Sequence, residues 1–248
     1  TCALNGTPTE QTFPVTDIER AELEAFAAAV AGGPAYPLPT DEAIHGVSVF
    51  EAMIGAYATA QLAAEHHAGH DAVIVAAFGD PGLGALREVM PVPVLGLTES
   101  ALASACMLGH RFSIIAISQR IQAWYREVVE ANGLAARLAS IRALDLQLAH
   151  IGQVQADHSQ ALLDLCHAAV DQDGAEVVIL AGAPLAGLAR ALRGKLPVPV
   201  VDGVSSAVRH AESLVALAPG KAARGSFAPP PHKLHQGLPA SISRLLGG

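Results

Sequence analysis

The chain has 248 residues, 51% of them hydrophobic, 15% charged and 4% aromatic, with a formal net charge of -8. That is enough apolar material to bury a sizeable core in one large or two small α/β domains, and so few aromatics suit helices packed on parallel strands better than a β-sandwich. The acidic balance offers no basic stripe to a nucleic-acid backbone, and no apolar run reaches the ~18 residues of a membrane helix.

Ala3-Leu4 is a short apolar lead into Asn5-Gly6-Thr7-Pro8-Thr9, a polar segment that reads either as a site-lining loop after the first strand or as a terminal turn. Asp17 is placed to cap a helix through Glu19, Arg20, Leu23 and Phe26 to Gly32-Gly33. A linker from Pro34 to Pro39, containing Tyr36, follows. Val49 to His67 carries Phe50, Met53, Ile54 and Tyr57 at helical spacing. His66 and His70 at its end are four apart, a metal-ligand spacing on a helix. Gly69 falls between them as a helix stop, and histidines are favoured at a helix C-terminus, so the structural reading is preferred and no metal is expected.

An apolar strand, Val73-Ile74-Val75-Ala76-Ala77, leads into Phe78-Gly79-Asp80-Pro81-Gly82-Leu83, a short helix and a second strand at Pro91-Val92-Pro93-Val94. Thr98-Glu99-Ser100 looks like the cap of a helix ending at Gly109. Phe112-Ser113-Ile114-Ile115-Ala116-Ile117 alternates little and is strongly apolar, as expected of a central parallel strand. Ser118 starts a helix through Trp124, Tyr125 and Val128 to Asn132-Gly133. Ile141 to Leu146 reads as an edge strand, and Val154 to Val170 as a helix with Cys166 on its core stripe. Val177-Val178-Ile179-Leu180-Ala181-Gly182-Ala183-Pro184-Leu185 then repeats the first strand and turn, with a short helix and Pro197-Val198-Pro199-Val200 behind it. Ser205 or Ser206 is expected to cap a last long helix to Leu217. From Pro219 to Gly248 the Gly/Pro/Ser-rich composition is that of a surface tail, with His232 and His235 solvated.

The alternation of strand and helix predicts paired or doubly wound parallel sheets. Ligands in such sheets sit beyond the carboxyl ends of the strands. That rule selects Asn5-Gly6-Thr7, Ala77 to Asp80, Ser118-Gln119 and Gly182 to Pro184. The three cysteines, at positions 2, 106 and 166, lack metal or redox spacing. They favour a reducing, cytoplasmic setting, and no signal-peptide pattern is visible.

These residues are similar to those of the aspartate/glutamate/hydantoin racemase superfamily, from about Asp71 to about Ser226. Phe78-Gly79-Asp80-Pro81-Gly82-Leu83, in its repeated context, resembles the hydantoin-racemase branch. So do Ala183 to Leu188, the Asn5-Gly6-Thr7 start and Pro197 to Gly203. The resemblance implies an α/β fold of two Rossmann-like lobes with parallel sheets about a pseudo-twofold axis, with the site in the cleft between them. We divide the chain on that basis into residues 1–97 plus 208–248 and residues 98–207. It also implies a cofactor-free reaction in which two cysteines, one per lobe, move a proton across opposite faces of the substrate's α-carbon. Backbone amides and hydroxyls would hold the developing oxyanion.

Here the chain departs from the pattern, with Ala77 and Gly182 where the two cysteines would stand. Alanine at one and glycine at the other reads as natural divergence rather than engineering. Asp80, just beyond the first strand, and Glu99, at the start of a helix, are the candidate acid–base groups. Their competing readings are a turn aspartate before proline and a favourably placed first-turn acid. Asn5, Thr7, Ala77, Phe78, Gly79, Ser118, Gly182, Ala183 and Pro184 are the candidate substrate contacts, with Ser118 equally readable as a helix cap. Three functions stay open. One is racemisation of a small carboxylate, amino acid or hydantoin-like imide by other groups. The second is a diverged lyase, as in the one-cysteine arylmalonate decarboxylases, or a hydrolase. The third is a binding protein. The apolar composition, with mean hydropathy +0.37, is compatible with a homo-oligomer or simply a well-buried core.

Overall fold

A computed structural model describes residues 2–4, 7–9, 59–145, 151–231 and 240–245. The expectations for Asn5, the Asp17 helix, Tyr36, Phe50, Met53, Ile54, Tyr57, His232 and His235 lie outside those residues.

Strands β1 (Cys2–Leu4) and β2 (Thr7–Thr9) pair antiparallel with each other, Leu4 opposite Thr7. Among the described residues the first strand therefore pairs with β2 rather than entering a parallel sheet, and Thr7 lies in a strand rather than a loop at a strand's carboxyl end. Asn-Gly between two extended triplets is a strong hairpin signal, which explains the difference.

The first lobe is built on β3 (Val73–Val75) and β4 (Val94–Gly96), a parallel pair. The helical segment 59–66, here α1, and helix α2 (Leu83–Val89) cover it. Ala64, Val75, Leu83, Leu86, Met90 and Val94 form its buried cluster. Helix α1 stops where expected. The His67 ring donates from Nδ1 to the carbonyls of Ala63 (3.1 Å) and Ala64 (3.2 Å), so this histidine satisfies the last turn of its own helix.

The second lobe is a four-stranded parallel sheet in the order β6-β5-β7-β8: Leu138–Ala143, Phe112–Ala116, Val177–Leu180 and Val200–Asp202. Every residue of β5 and β7 is buried, as expected of strongly apolar inner strands with both faces covered, and the one polar side chain, Ser113, shares a hydrogen bond with the Ser140 hydroxyl at 2.8 Å. Phe112, Ile114, Val177 and Ile179 face helices α3 (Leu97–Leu108) and α4 (Gln122–Ala131). Ile115, Val178 and Leu180 face α5 (Val154–Asp157), α6 (Ser159–Asp171) and α7 (Leu188–Ala191). The expected Val154–Val170 helix is thus two, interrupted at His158. The edge strand begins three residues before Ile141.

Helix α8 (Gly203–Leu217) is capped by Asp202, not by Ser205 or Ser206. The Asp202 carboxylate accepts from both the backbone N–H (2.8 Å) and the hydroxyl (2.9 Å) of Ser205. An aspartate ending a strand is already placed to accept from the third helical residue, which leaves serine the donor's role. The last helix, α9 (Ala240–Leu245), falls within the tail.

Two helices tie the lobes together. α3 leaves the first lobe's β4 and packs on β7 and β8 of the second. α8 leaves the second lobe's β8 and packs on β3 and β4 of the first, and the two helices pack along each other. Their starts come close together. A Cβ on Gly203 would stand 2.9 Å from the Leu97 carbonyl oxygen, so only glycine allows that contact without a shift. Among the described residues no helix is long and apolar enough to cross a membrane.

Candidate functional site

The strand registers show how the two copies of the repeated unit correspond. Val75 pairs with Gly96 at the end of one sheet, and Leu180 with Asp202 at the end of the other. Two residues beyond Val75 stands Ala77, and two beyond Leu180 stands Gly182. Both turns close with the same backbone bond at 3.1 Å: Asp80 N–H to Ala77 C=O in the first, Leu185 N–H to Gly182 C=O in the second. The correspondence read from sequence is thus repeated in hydrogen bonding, down to the residue. The backbone N–H groups of Phe78 and Ala183 head the two turns, and among the described residues neither finds an acceptor.

The first turn is fixed by its side chains. Phe78 is buried, edge-on to Tyr125 at 4.8 Å between ring centroids. It shares one buried cluster with Ala116, Ala143 and Ala181, which end or directly follow β5, β6 and β7. An aromatic from the first lobe is therefore sunk into the carboxyl end of the second lobe's sheet, which brings the Ala77–Asp80 turn to the strand ends that carry Ser118 and Gly182.

Asp80 is half-buried, with both carboxylate oxygens engaged. Its two oxygens accept from the backbone N–H groups of Thr98 (2.9 Å) and Glu99 (2.8 Å), the first turn of α3. The Thr98 hydroxyl in turn accepts from Gly79 N–H at 2.5 Å. Asp80 holds a left-handed φ of 51° in doing so. A Cβ on Gly96 would collide with the Asp80 carboxyl group. Asp202, the counterpart of Gly96, caps α8 with its own side chain; in the first lobe that position is empty and Asp80 supplies the carboxylate from the neighbouring turn. Burial pushes the Asp80 carboxyl above its ordinary value of 3.8, against the two N–H bonds that pull it down.

Glu99 is likewise engaged. It forms an ion pair with Arg87 and accepts from Gly96 N–H at 3.2 Å, reaching back across the helix start. Arg87 also donates to the Val94 carbonyl at 3.0 Å. Both candidate acids therefore have structural partners at the N-terminus of α3. Ser118 accepts from Arg120 N–H at 3.3 Å and caps the short 3-10 turn before α4.

The second turn is held from outside. Gln155 on α5 donates to the carbonyls of Pro184 (2.7 Å) and Ala186 (3.0 Å), while Leu185 is buried beneath. Gly182 has φ 97° and ψ 151°, a conformation that side-chain-bearing residues rarely adopt. Sequence reasoning missed Gln155 and Trp124, which lies against the first turn, and read Thr98 as part of a helix cap, whereas the cap position is Gly96 and the Thr98 hydroxyl holds Gly79; a lone glutamine or threonine on a helix carries no pattern that marks it as a brace. Cys106 and Cys166 lie within helices α3 and α6 rather than in the turns. Cys166 is fully buried, and burial pushes its thiol up to about 12, so it holds its proton. Cys106 is half-buried on α3. No group of three or more His, Cys, Asp or Glu that could hold a metal occurs among the described residues.

The Asp/Glu/Hydantoin racemase family model matches residues 38–211. The hydantoin racemase of Paenarthrobacter aurescens is 37% identical over 170 residues, covering 68% of this chain and 72% of that protein. The hydantoin racemase of Pseudomonas sp. (strain NS671) is 36% identical over 149 residues, 60% of each chain. Among solved structures, allantoin racemase from Klebsiella pneumoniae superposes with a TM-score of 0.70 at 33% identity, covering 76% of this chain and 77% of that one. Arylmalonate decarboxylase, at 18% identity and a TM-score of 0.50 over 68% of this chain and 77% of that one, shares the fold.

Proposed function

The chain belongs to the Asp/Glu/hydantoin racemase family, and from that premise we propose that it performs racemase-type proton exchange on a small cyclic imide or carboxylate held between its two turns. The observation that carries this reading is the matched pair of turns, with the same closing bond and an N–H group without an acceptor at the head of each. Two such donors suit the oxyanion of an enolate, which forms when the carbon next to a carbonyl loses its proton. The lobes are those of residues 1–97 plus 208–248 and residues 98–207, about a pseudo-twofold axis. In support, the close approach of Leu97 and Gly203 joins corresponding residues, each the first after a strand.

The chemistry must proceed without thiols at positions 77 and 182. Asp80 and Glu99 would have to surrender their bonds at the start of α3 to serve as bases, so we assign them to holding the first turn. Ala77 and Gly182 leave space at both faces of the bound ring. The C–H bond breaks toward water on one face, its electron pair moves into the carbonyl, and the turn N–H groups hold the resulting oxyanion. A proton from water on either face then restores the carbon. No cofactor takes part in these steps, and a hydantoin is the apt substrate because the C4 carbonyl beside C5, conjugated with the imide nitrogen, and the acylated N1 on its other side acidify the C5–H bond.

The thiol-free turns also favour a second reading, a protein that binds the same ligand without turnover. Polarimetry of a resolved 5-methylhydantoin separates the two. Loss of rotation that survives thiol alkylation is expected. Unchanged rotation in the presence of calorimetrically detected binding would leave the binding protein, and no binding of hydantoins or amino acids would remove both.

A further inference from the structure

Trp124 is the sole tryptophan of the chain and is 42% exposed, although its neighbour Tyr125 is buried. It projects from the first turn of α4, and its indole lies directly on Gly79. A Cβ at Gly79 would overlap the ring's outer edge and stand 2.6 Å from Cε2, so the missing side chain is what admits the indole. Gly79 at φ 113° also turns its own N–H away, to the Thr98 hydroxyl. The indole thus rests on the backbone one residue from Phe78 N–H and two from Ala77. Its centroid is 5.9 Å from that of Tyr125, which in turn packs on Phe78. No acceptor for the Trp124 Nε1–H occurs among the described residues. An exposed aromatic plate with an N–H donor, braced against the turn rather than in the core, has the composition of a ligand-facing wall.

Resting on the site proposed above, we propose that Trp124 is a specificity-determining residue: it selects planar cyclic ureides and imides over acyclic amino acids by stacking on the ring. A flat five-membered ring with carbonyls at its rim can lie against the indole and accept from an N–H at the edge. A tetrahedral α-carbon bearing a freely rotating ammonium and carboxylate cannot present such a face. Aromatic stacking of this kind corresponds to about a tenfold difference in affinity.

The test uses the whole chain and the uniqueness of its tryptophan. 5-methylhydantoin, which contributes no indole emission, is titrated while Trp124 fluorescence is followed. Calorimetry is run in parallel on the wild type, W124F and W124A, with alanine as the acyclic probe. The expected result is a saturable emission change at the calorimetric Kd, about tenfold weaker hydantoin binding in W124A with most of it kept in W124F, and alanine binding that the substitutions leave alone. Hydantoin binding without an emission change, or equally tight binding by W124A, would overturn the role of Trp124 while leaving the site standing. An equal loss of hydantoin and alanine binding in W124A would make the residue structural and overturn its selectivity. No binding of 5-methylhydantoin by the wild type would take down the underlying site as well.

Discussion

Ala77 and Gly182 occupy corresponding places, yet a cysteine should be received differently at each. Ala77 has an ordinary backbone, whereas Gly182 holds φ 97°. We expect A77C to leave the urea midpoint nearly unchanged and G182C to cost about 1–3 kcal/mol in backbone strain. Equal stabilities would show that the second turn relaxes freely. The same reasoning predicts that A77C makes proton exchange faster and newly sensitive to alkylation, read by the rate before and after thiol blocking. Asp80 offers a separate test. Truncation in D80A orphans the N–H groups of Thr98 and Glu99, with an expected loss of about 1–2 kcal/mol at the cap, and D80N should recover part of it. Its pH signature has a definite sign. Because burial raises the Asp80 carboxyl above 3.8, its proton is held more tightly in the folded chain. The linked stabilisation is complete below pH 3.8 and is lost as pH rises through the shifted value. The stability of wild type relative to D80N should therefore fall with rising pH across that window, seen in denaturation midpoints; a difference that grew would reverse the assignment.

At the level of elements, the helices that follow β4 and β8 start alike and are capped differently. D202A removes the acceptor for both Ser205 donors and should cost about 1 kcal/mol, S205A clearly less, by thermal or urea unfolding. A larger loss in S205A would restore the cap first assigned to serine. Much of this layer was legible in the chain. The strongly apolar runs of Phe112–Ala116 and Val177–Leu180 announced inner parallel strands, and Gly109 and Asn132 marked real helix ends. What stayed hidden depends on contacts remote in sequence. Nothing local to Gly96 says that its cap arrives from Asp80, and nothing local to Pro184 says that Gln155 braces it. Asn5-Gly6 carries a hairpin signal that outweighs its reading as a loop beyond a parallel strand. The candidate acids were legible as residue types near strand ends; their occupation by backbone N–H groups and Arg87 is a fact of packing.

Across the whole molecule, the first lobe contributes Phe78 and Leu97 to the core of the second. Phe78, Leu97 and Ala207 share one buried cluster with Phe112, Ile114 and Ile179. The two turns are consequently held against each other by packing rather than by a flexible hinge, which suits a site whose donors must be preorganised. The central claim is that this preorganised pair of turns drives proton exchange without the two thiols of its family. It is tested most directly by incubating one enantiomer of 5-methylhydantoin with the wild-type protein in deuterated water, following the C5 proton by NMR together with optical rotation. The account predicts deuterium entering at C5 in step with loss of rotation, at a rate that thiol alkylation does not change. Binding with the C5 proton and the rotation both intact, or exchange abolished by alkylation, would contradict it.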